Sequence, residues 1–269
     1  MFKRSSLRLS VLAMLLFLLL PGLALAGRSS DPGRDVLFQY STLPALAAGM
    51  FEGGMTVADL KQWGDTGLGT FLGLNGEMVV VDGEVYQVTN DGKVHVAAKD
   101  QTIPFATVTF FDTDAVVRLE RVEKLADLTE RVAAALPGKN AFYALRIRGD
   151  FSHIQARSVP AQKEPYPTLA DVLTQQSVFA LAGEQAKGVC VGFYGPDWLK
   201  GATVPGFHIH YLSDAKDAGG HVLDLAGNNV VVEIDLTPAL RLDLPTTPVF
   251  LGYDFPQGAS DASHGAAKE

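Results

Sequence analysis

From residue 188 to residue 253 the chain is one short apolar or alternating run after another: "GVCVGFY", "GFHIHYLS", "HVLDLAG", "NNVVVEIDLT" and "LRLDLP". Runs of this length and pattern predict strands with one or both faces buried. In the first half, "GTFLGLNGEMVVVDGEVYQVTNDGKVHV" has the same character, and Asp82-Gly83 and Asp91-Gly92 mark tight turns between its strands. "PFATVTFF" alternates and predicts another strand. Helical signals are fewer. Thr56 and Asp59 form a capping-box pattern opening a short helix that Gly64 closes. Val, Leu and Ala recur at helical spacing over 115–136, ended by Pro137-Gly138. "NAFYALRIRGDFSHIQARSV" returns to strand character, and "PAQKEPYPTLADVLTQQSVFAL" holds a proline-rich linker and one or two helical turns. The expected fold is strand-dominated α+β with few helices. It falls into an N-terminal α/β half (37–155) and a C-terminal β-rich half (156–255) that meet around 155–170.

Composition narrows the class. A chain of 269 residues, 47% hydrophobic, is long enough to bury a large core. A net charge of -8 argues against nucleic-acid partners. Lys3, Arg4 and Arg8 precede the apolar run "LSVLAMLLFLLLPGLALA", which ends in small residues before Gly27. That is the pattern of a cleaved secretory signal over 1–26, so export to a periplasm or the medium is expected. The competing reading is a membrane anchor, against which Pro21 and Gly22 interrupt the run. Residues 27–36 form a polar leader, and the Ala, Ser, Gly and Lys of 256–269 form a tail expected to be disordered. The single cysteine, Cys190, cannot form an intramolecular disulfide; flanked by valines, it is strand filler before it is a nucleophile.

Candidate chemistry lies in "GFHIHYLSDAKDAGGHVLDL". Three of the six histidines, His208, His210 and His221, fall within this stretch. On a strand His208 and His210 project to the same side. If the next strand returns with Leu212 opposite Gly219, His210 faces His221 across the ladder and all three imidazoles share one face. Such a group can close on one divalent ion, and three protein ligands with an open position is the pattern of a catalytic zinc. The competing reading is three unrelated polar residues on a solvated face. Imidazole alone suits zinc, copper, iron or nickel. His95, His153 and His264 have no such neighbours in sequence.

With these motifs stand "STLPALAAGMFEGGMTVADLKQWGDTGLGTFLGLNGEMVVVDGEVYQV", "PFATVTFF", "NAFYALRIRGDFSHIQARSVP" and "LRLDLP". Together they resemble the α-acetolactate decarboxylase family over about residues 37 to 250. The resemblance implies a mixed β-sheet and a barrel-like sheet, and conversion of 2-acetolactate to (R)-acetoin and carbon dioxide. It also implies a zinc ion held by three histidines, which fall on His208, His210 and His221. The family's active-site glutamate after "LxGE" falls on Glu77, its arginine before "[ST]VP" on Arg157, and a threonine in "GLGTF" on Thr70. A second family glutamate near the C-terminus has no counterpart before Glu269, and Asp254 stands in a comparable place.

Loss of carbon dioxide from such an acid leaves an electron pair that delocalises into the neighbouring ketone as an enediolate. Neutral histidine ligands leave a zinc ion's charge undiminished, and the substrate's hydroxyl and ketone oxygens are placed to chelate it. Arg157 offers a planar fork for a carboxylate, or is a surface charge on a strand. Glu77 offers a proton, with Glu84 as the alternative acid beyond the Asp-Gly turn. The expected partner is a small 2-hydroxy-3-oxo acid, with a second copy of the chain if it forms a homodimer; no membrane contact is expected once the signal is removed. Two alternatives remain, an exported zinc hydrolase, for which no H-E-x-x-H motif is present, and a non-catalytic metal-binding β-domain.

Overall fold

The computed structural model describes residues 34–255. The expected signal peptide, most of the leader and the tail lie outside the described residues. In chain order the strands are β1 (Val36–Tyr40), β2 (Met55–Thr56), β3 (Thr66–Thr70), β4 (Glu77–Val81), β5 (Glu84–Val88), β6 (Val94–Val96), β7 (Thr102–Ile103) and β8 (Phe105–Thr109). They continue with β9 (Ala115–Val122), β10 (Phe142–Ser158), β11 (Ser177–Leu181), β12 (Gly188–Gly195), β13 (Gly206–Ser213), β14 (Gly219–Thr237) and β15 (Ala239–Asp243). Helices α1 (Leu43–Ala47), α2 (Val57–Leu60), α3 (Leu125–Ala135), α4 (Leu169–Leu173) and α5 (Pro248–Gly252) are short. No helix among the described residues is long and apolar enough to cross a membrane.

The strands form two main sheets. One runs β15-β1-β8-β3-β4-β5-β6 and is mixed, because β15 pairs parallel to β1 while its other pairings are antiparallel. The other runs β11-β10-β12-β13-β14-β9, and β10 also pairs with β14. That extra pairing closes β10, β12, β13 and β14 into a ring, the barrel-like sheet. Local chemistry accounts for many joints. Asp82 and Gly83 take positive φ (52° and 76°) in the turn joining β4 to β5, as a two-residue hairpin requires. Thr56 and Asp59 cap α2 reciprocally.

Two expectations change. Residues 115–122, read as the start of a helix, are strand β9; the helix begins only at Leu125. In "AVVRLERV" Ala115, Val117 and Leu119 turn toward the core while alternate residues face solvent. This period-two burial, with β-branched Val116 and Val117, favours the strand. The sheets also divide elsewhere than near residue 155. Strands β1, β3 to β6 and β8 build the first and β9 to β14 the second, β2 and β7 pair only with each other, β10 runs unbroken through 155, and β15 returns to the first sheet.

Where the sheets meet, Val79, Val81 and Val88 pack against Val189, Val191 and Leu212. Burying each such side chain contributes roughly 1.5–3 kcal/mol. This apolar seam fixes β4 against β13, and so sets the position of Glu77 relative to the histidines.

Candidate metal centre and cavity

Three adjacent strands bring the candidate residues into one row. In the β13–β14 hairpin Leu212 is opposite Gly219 and His210 is opposite His221, the register expected from the sequence. Across the next pair, His221 is opposite Arg157 of β10. His208 joins the row from two residues before His210. The three imidazole centroids lie 4.9, 5.0 and 5.2 Å apart. One ligand nitrogen from each lies within 4.8 Å of the others, and the group could hold a metal ion.

Neighbouring groups prepare these rings as ligands. Nδ1 of His210 lies 2.7 Å from the carbonyl oxygen of Met78. A carbonyl only accepts, so Nδ1 carries the hydrogen and donates it, leaving the Nε2 lone pair for the cavity. That Nε2 is 3.2 Å from Nε2 of His208 and 3.6 Å from Oε2 of Glu77. Burial pushes the pKa of His210 down to about 4, against the Met78 bond that raises it, and Arg157 adds to the lowering. Burial likewise depresses His208, with smaller contributions from His210 and Arg157. His221 is depressed by burial first, then by Arg157 and the two other rings. All three are therefore neutral near pH 7, the form that binds a divalent ion. Imidazole-only donors in this arrangement fit a divalent first-row metal such as zinc, copper, iron or nickel.

The row floors a small cavity of about 70 Å³ that opens to solvent. Its walls are apolar, with Leu43 and Leu46 from α1, Leu169 and Leu173 from α4, and Phe105 from β8. Glu77 and Thr70 face each other across β4 and β3 and line the cavity with Arg157. Burial raises the Glu77 carboxyl to about 7, although Arg157 acts to lower it. The Thr70 hydroxyl donates to the Gly76 carbonyl at 2.7 Å, so it presents lone pairs elsewhere. Arg157 is 5% exposed, and its Nη1 donates to Oε1 of Gln176 at 3.0 Å.

His208, His210, His221, Glu77, Arg157 and Thr70 thus share one cavity. Asp254 does not join them. It is exposed just beyond α5 and is not among the cavity-lining residues. Glu84 is half-buried and pairs with Lys61 at 3.4 Å on the far side of the Asp82-Gly83 turn. His153 lies 3.6 Å from Asp224, and His95 is exposed on β6. Cys190 is fully buried in β12. Sequence reading passed over Gln176, because its contact with Arg157 joins residues 19 apart through the β10–β11 pairing.

The chain is similar to known proteins over most of its length. A family model described as alpha-acetolactate decarboxylase matches residues 37–257. An alpha-acetolactate decarboxylase of Methanosarcina mazei is 42% identical over 86% of this chain and 80% of its own. One of Methylococcus capsulatus is 40% identical over 86% and 88% of the two chains. The crystal structure of the Bacillus subtilis strain 168 alpha-acetolactate decarboxylase superposes with a TM-score of 0.82 at 29% identity, covering 87% of this chain and 99% of that one. The chain belongs to the alpha-acetolactate decarboxylase family.

Proposed function

We propose that the chain converts 2-acetolactate to (R)-acetoin and carbon dioxide using a zinc ion held by His208, His210 and His221. The observation that carries this reading is the neutral imidazole triad, with its nitrogens within 4.8 Å of one another, flooring the cavity that Glu77 and Arg157 also line. Three ligands facing an open cavity, rather than four closing a sphere, suit catalysis over a purely structural site. A zinc ion held there supplies positive charge for the electron pair left when the carbon–carboxyl bond breaks.

The chain's own residues do the rest. Arg157 orients the substrate carboxylate through charge-assisted hydrogen bonds. Thr70, its proton committed to Gly76, accepts from a substrate hydroxyl. Glu77 delivers a proton to the former α-carbon from the β4 side only, which fixes the handedness of the product. The leucines of α1 and α4 seat the methyl groups and keep bulk water from that carbon.

Coupled detection of acetoin from racemic acetolactate tests the proposal, with His208→Ala as the control. Stoichiometric acetoin from one enantiomer, abolished in the variant, is the expected result. Equal turnover by both proteins would overturn it.

A further inference from the structure

We infer that Gln176 is a positioning residue that fixes the guanidinium of Arg157 while leaving its charge intact. The inference rests on the reading of Arg157 as the carboxylate-binding group.

Arg157 sits near the end of β10, almost wholly buried, beside His221 and against the cavity. Such a buried fork needs acceptors to hold its plane. Among them is Oε1 of Gln176, 3.0 Å from Nη1. Gln176 is itself held. Its backbone N–H donates to the Leu173 carbonyl at 3.3 Å, in the turn that leaves α4. The next residue, Ser177, opens β11 opposite Ser158, and its N–H donates to Oδ1 of Asn90 at 3.2 Å. The backbone of Gln176 is thus fixed on both sides, and its side chain returns over the strand that carries Arg157.

The chemistry of the acceptor matters. A carboxylate here would hold the fork more strongly but form an ion pair, cancelling the charge an anionic substrate must feel. A neutral amide oxygen orients without cancelling. Leu169 and Leu173, on the helix that leads into Gln176, also wall the cavity. The α4 segment therefore shapes the pocket and aims its cation together.

The test is a double-mutant cycle on the zinc-loaded enzyme, with kcat and KM for acetolactate measured for wild type, Gln176→Ala, Arg157→Ala and the double variant. Zinc content and Tm are recorded for each. Gln176→Ala is expected to raise KM about tenfold, the worth of one hydrogen bond to a charged group, with a smaller change in kcat and an unchanged zinc content. In the Arg157→Ala background the same substitution is expected to change nothing. Gln176→Glu, which keeps an acceptor in place, is expected to raise KM for acetolactate while leaving inhibition by the uncharged product acetoin unaltered. Equal effects of Gln176→Ala with and without Arg157 would overturn the inference, as would a wild-type KM in both Gln176 variants. If instead Arg157→Ala leaves kcat/KM unchanged, the reading of Arg157 fails first, and the two failures are distinguished.

Discussion

His221 stands directly opposite His210 on one side and directly opposite Arg157 on the other, so three neighbouring strands present two metal-ligand candidates and a cation in one row. The geometry couples them electrostatically. Arg157 lowers the pKa of His221, second only to burial. A positive charge beside the triad adds to burial in keeping its rings neutral, and under the proposed function it meets the anionic substrate. Arg157→Lys keeps the charge but loses the planar fork. The expected result is a KM for acetolactate raised about tenfold or more with zinc content unchanged, measured by steady-state kinetics and metal analysis.

Gly220 is the hinge of that row. It takes φ +133°, and a Cβ there would lie 2.4 Å from the Arg157 carbonyl oxygen. Gly220→Ala must therefore push β14 from β10 next to His221. A loss of more than about 2 kcal/mol of stability, with weakened zinc binding, is expected in denaturant unfolding and zinc titration. A variant with wild-type stability would show that the close approach is not required.

Glu77→Gln removes the proton but keeps the size of a side chain whose Oε2 lies 3.6 Å from His210. A fall in kcat of roughly 10² to 10⁴ is expected if this group delivers the proton, with zinc content near wild type. Enantiomeric analysis of residual acetoin gives a second readout, since solvent protonation would erode the excess of one hand.

Asp235 supplies a dependence of stability on pH away from the site. It is fully buried on β14, accepts from the Asp112 N–H at 3.2 Å, and its other oxygen has no hydrogen-bond partner among the described residues. Burial raises its carboxyl to about 7; the Asp112 N–H lowers it, and Asp114, Asp35 and Asp112 raise it further. An acid raised on folding binds more protons in the native state than in the unfolded one. Its contribution is therefore favourable at low pH and is lost as pH climbs from about 4 through 7. Asp235→Asn is expected to be more stable than wild type at pH 8, by an amount on the order of a few kcal/mol, and no more stable at pH 4. Urea unfolding at the two pH values checks this, and an equal difference at both would contradict it.

The histidine triad was legible because it rests on local periodicity, whereas Glu77, Arg157 and Thr70 were placed by the family resemblance. The H-x-H of β13, the two glycines after the loop and the return at His221 specify a hairpin register, and the register observed is that one. The turns at Asp82-Gly83 and the cap at Thr56 were legible for the same reason, since each depends on residues close in sequence. Residues 115–122 were not. "AVVRLERV" is compatible with both helical and strand spacing, and its pairing with the edge of β14, together with its β-branched residues, decides for the strand. The unity of β14 was hidden as well. Its 19 residues were read as two strands, but register shifts in the β10–β14 ladder carry it past Gly227 and Asn228 without a break. Gln176 and the Met78 carbonyl reach the site through tertiary contacts that no spacing encodes. Asp254 was placed from family position alone, and the fold leaves it exposed beyond α5.

The most direct measurement strips the purified protein with a chelator and follows bound zinc and acetoin formation together as zinc is returned, in wild type and in His210→Ala. The expected result is activity that vanishes with the metal and returns in proportion to one zinc per chain, with neither recovered in the variant. Full activity in the stripped protein, or zinc rebinding to His210→Ala with wild-type affinity and rate, would contradict the assignment of the triad as the centre of the reaction.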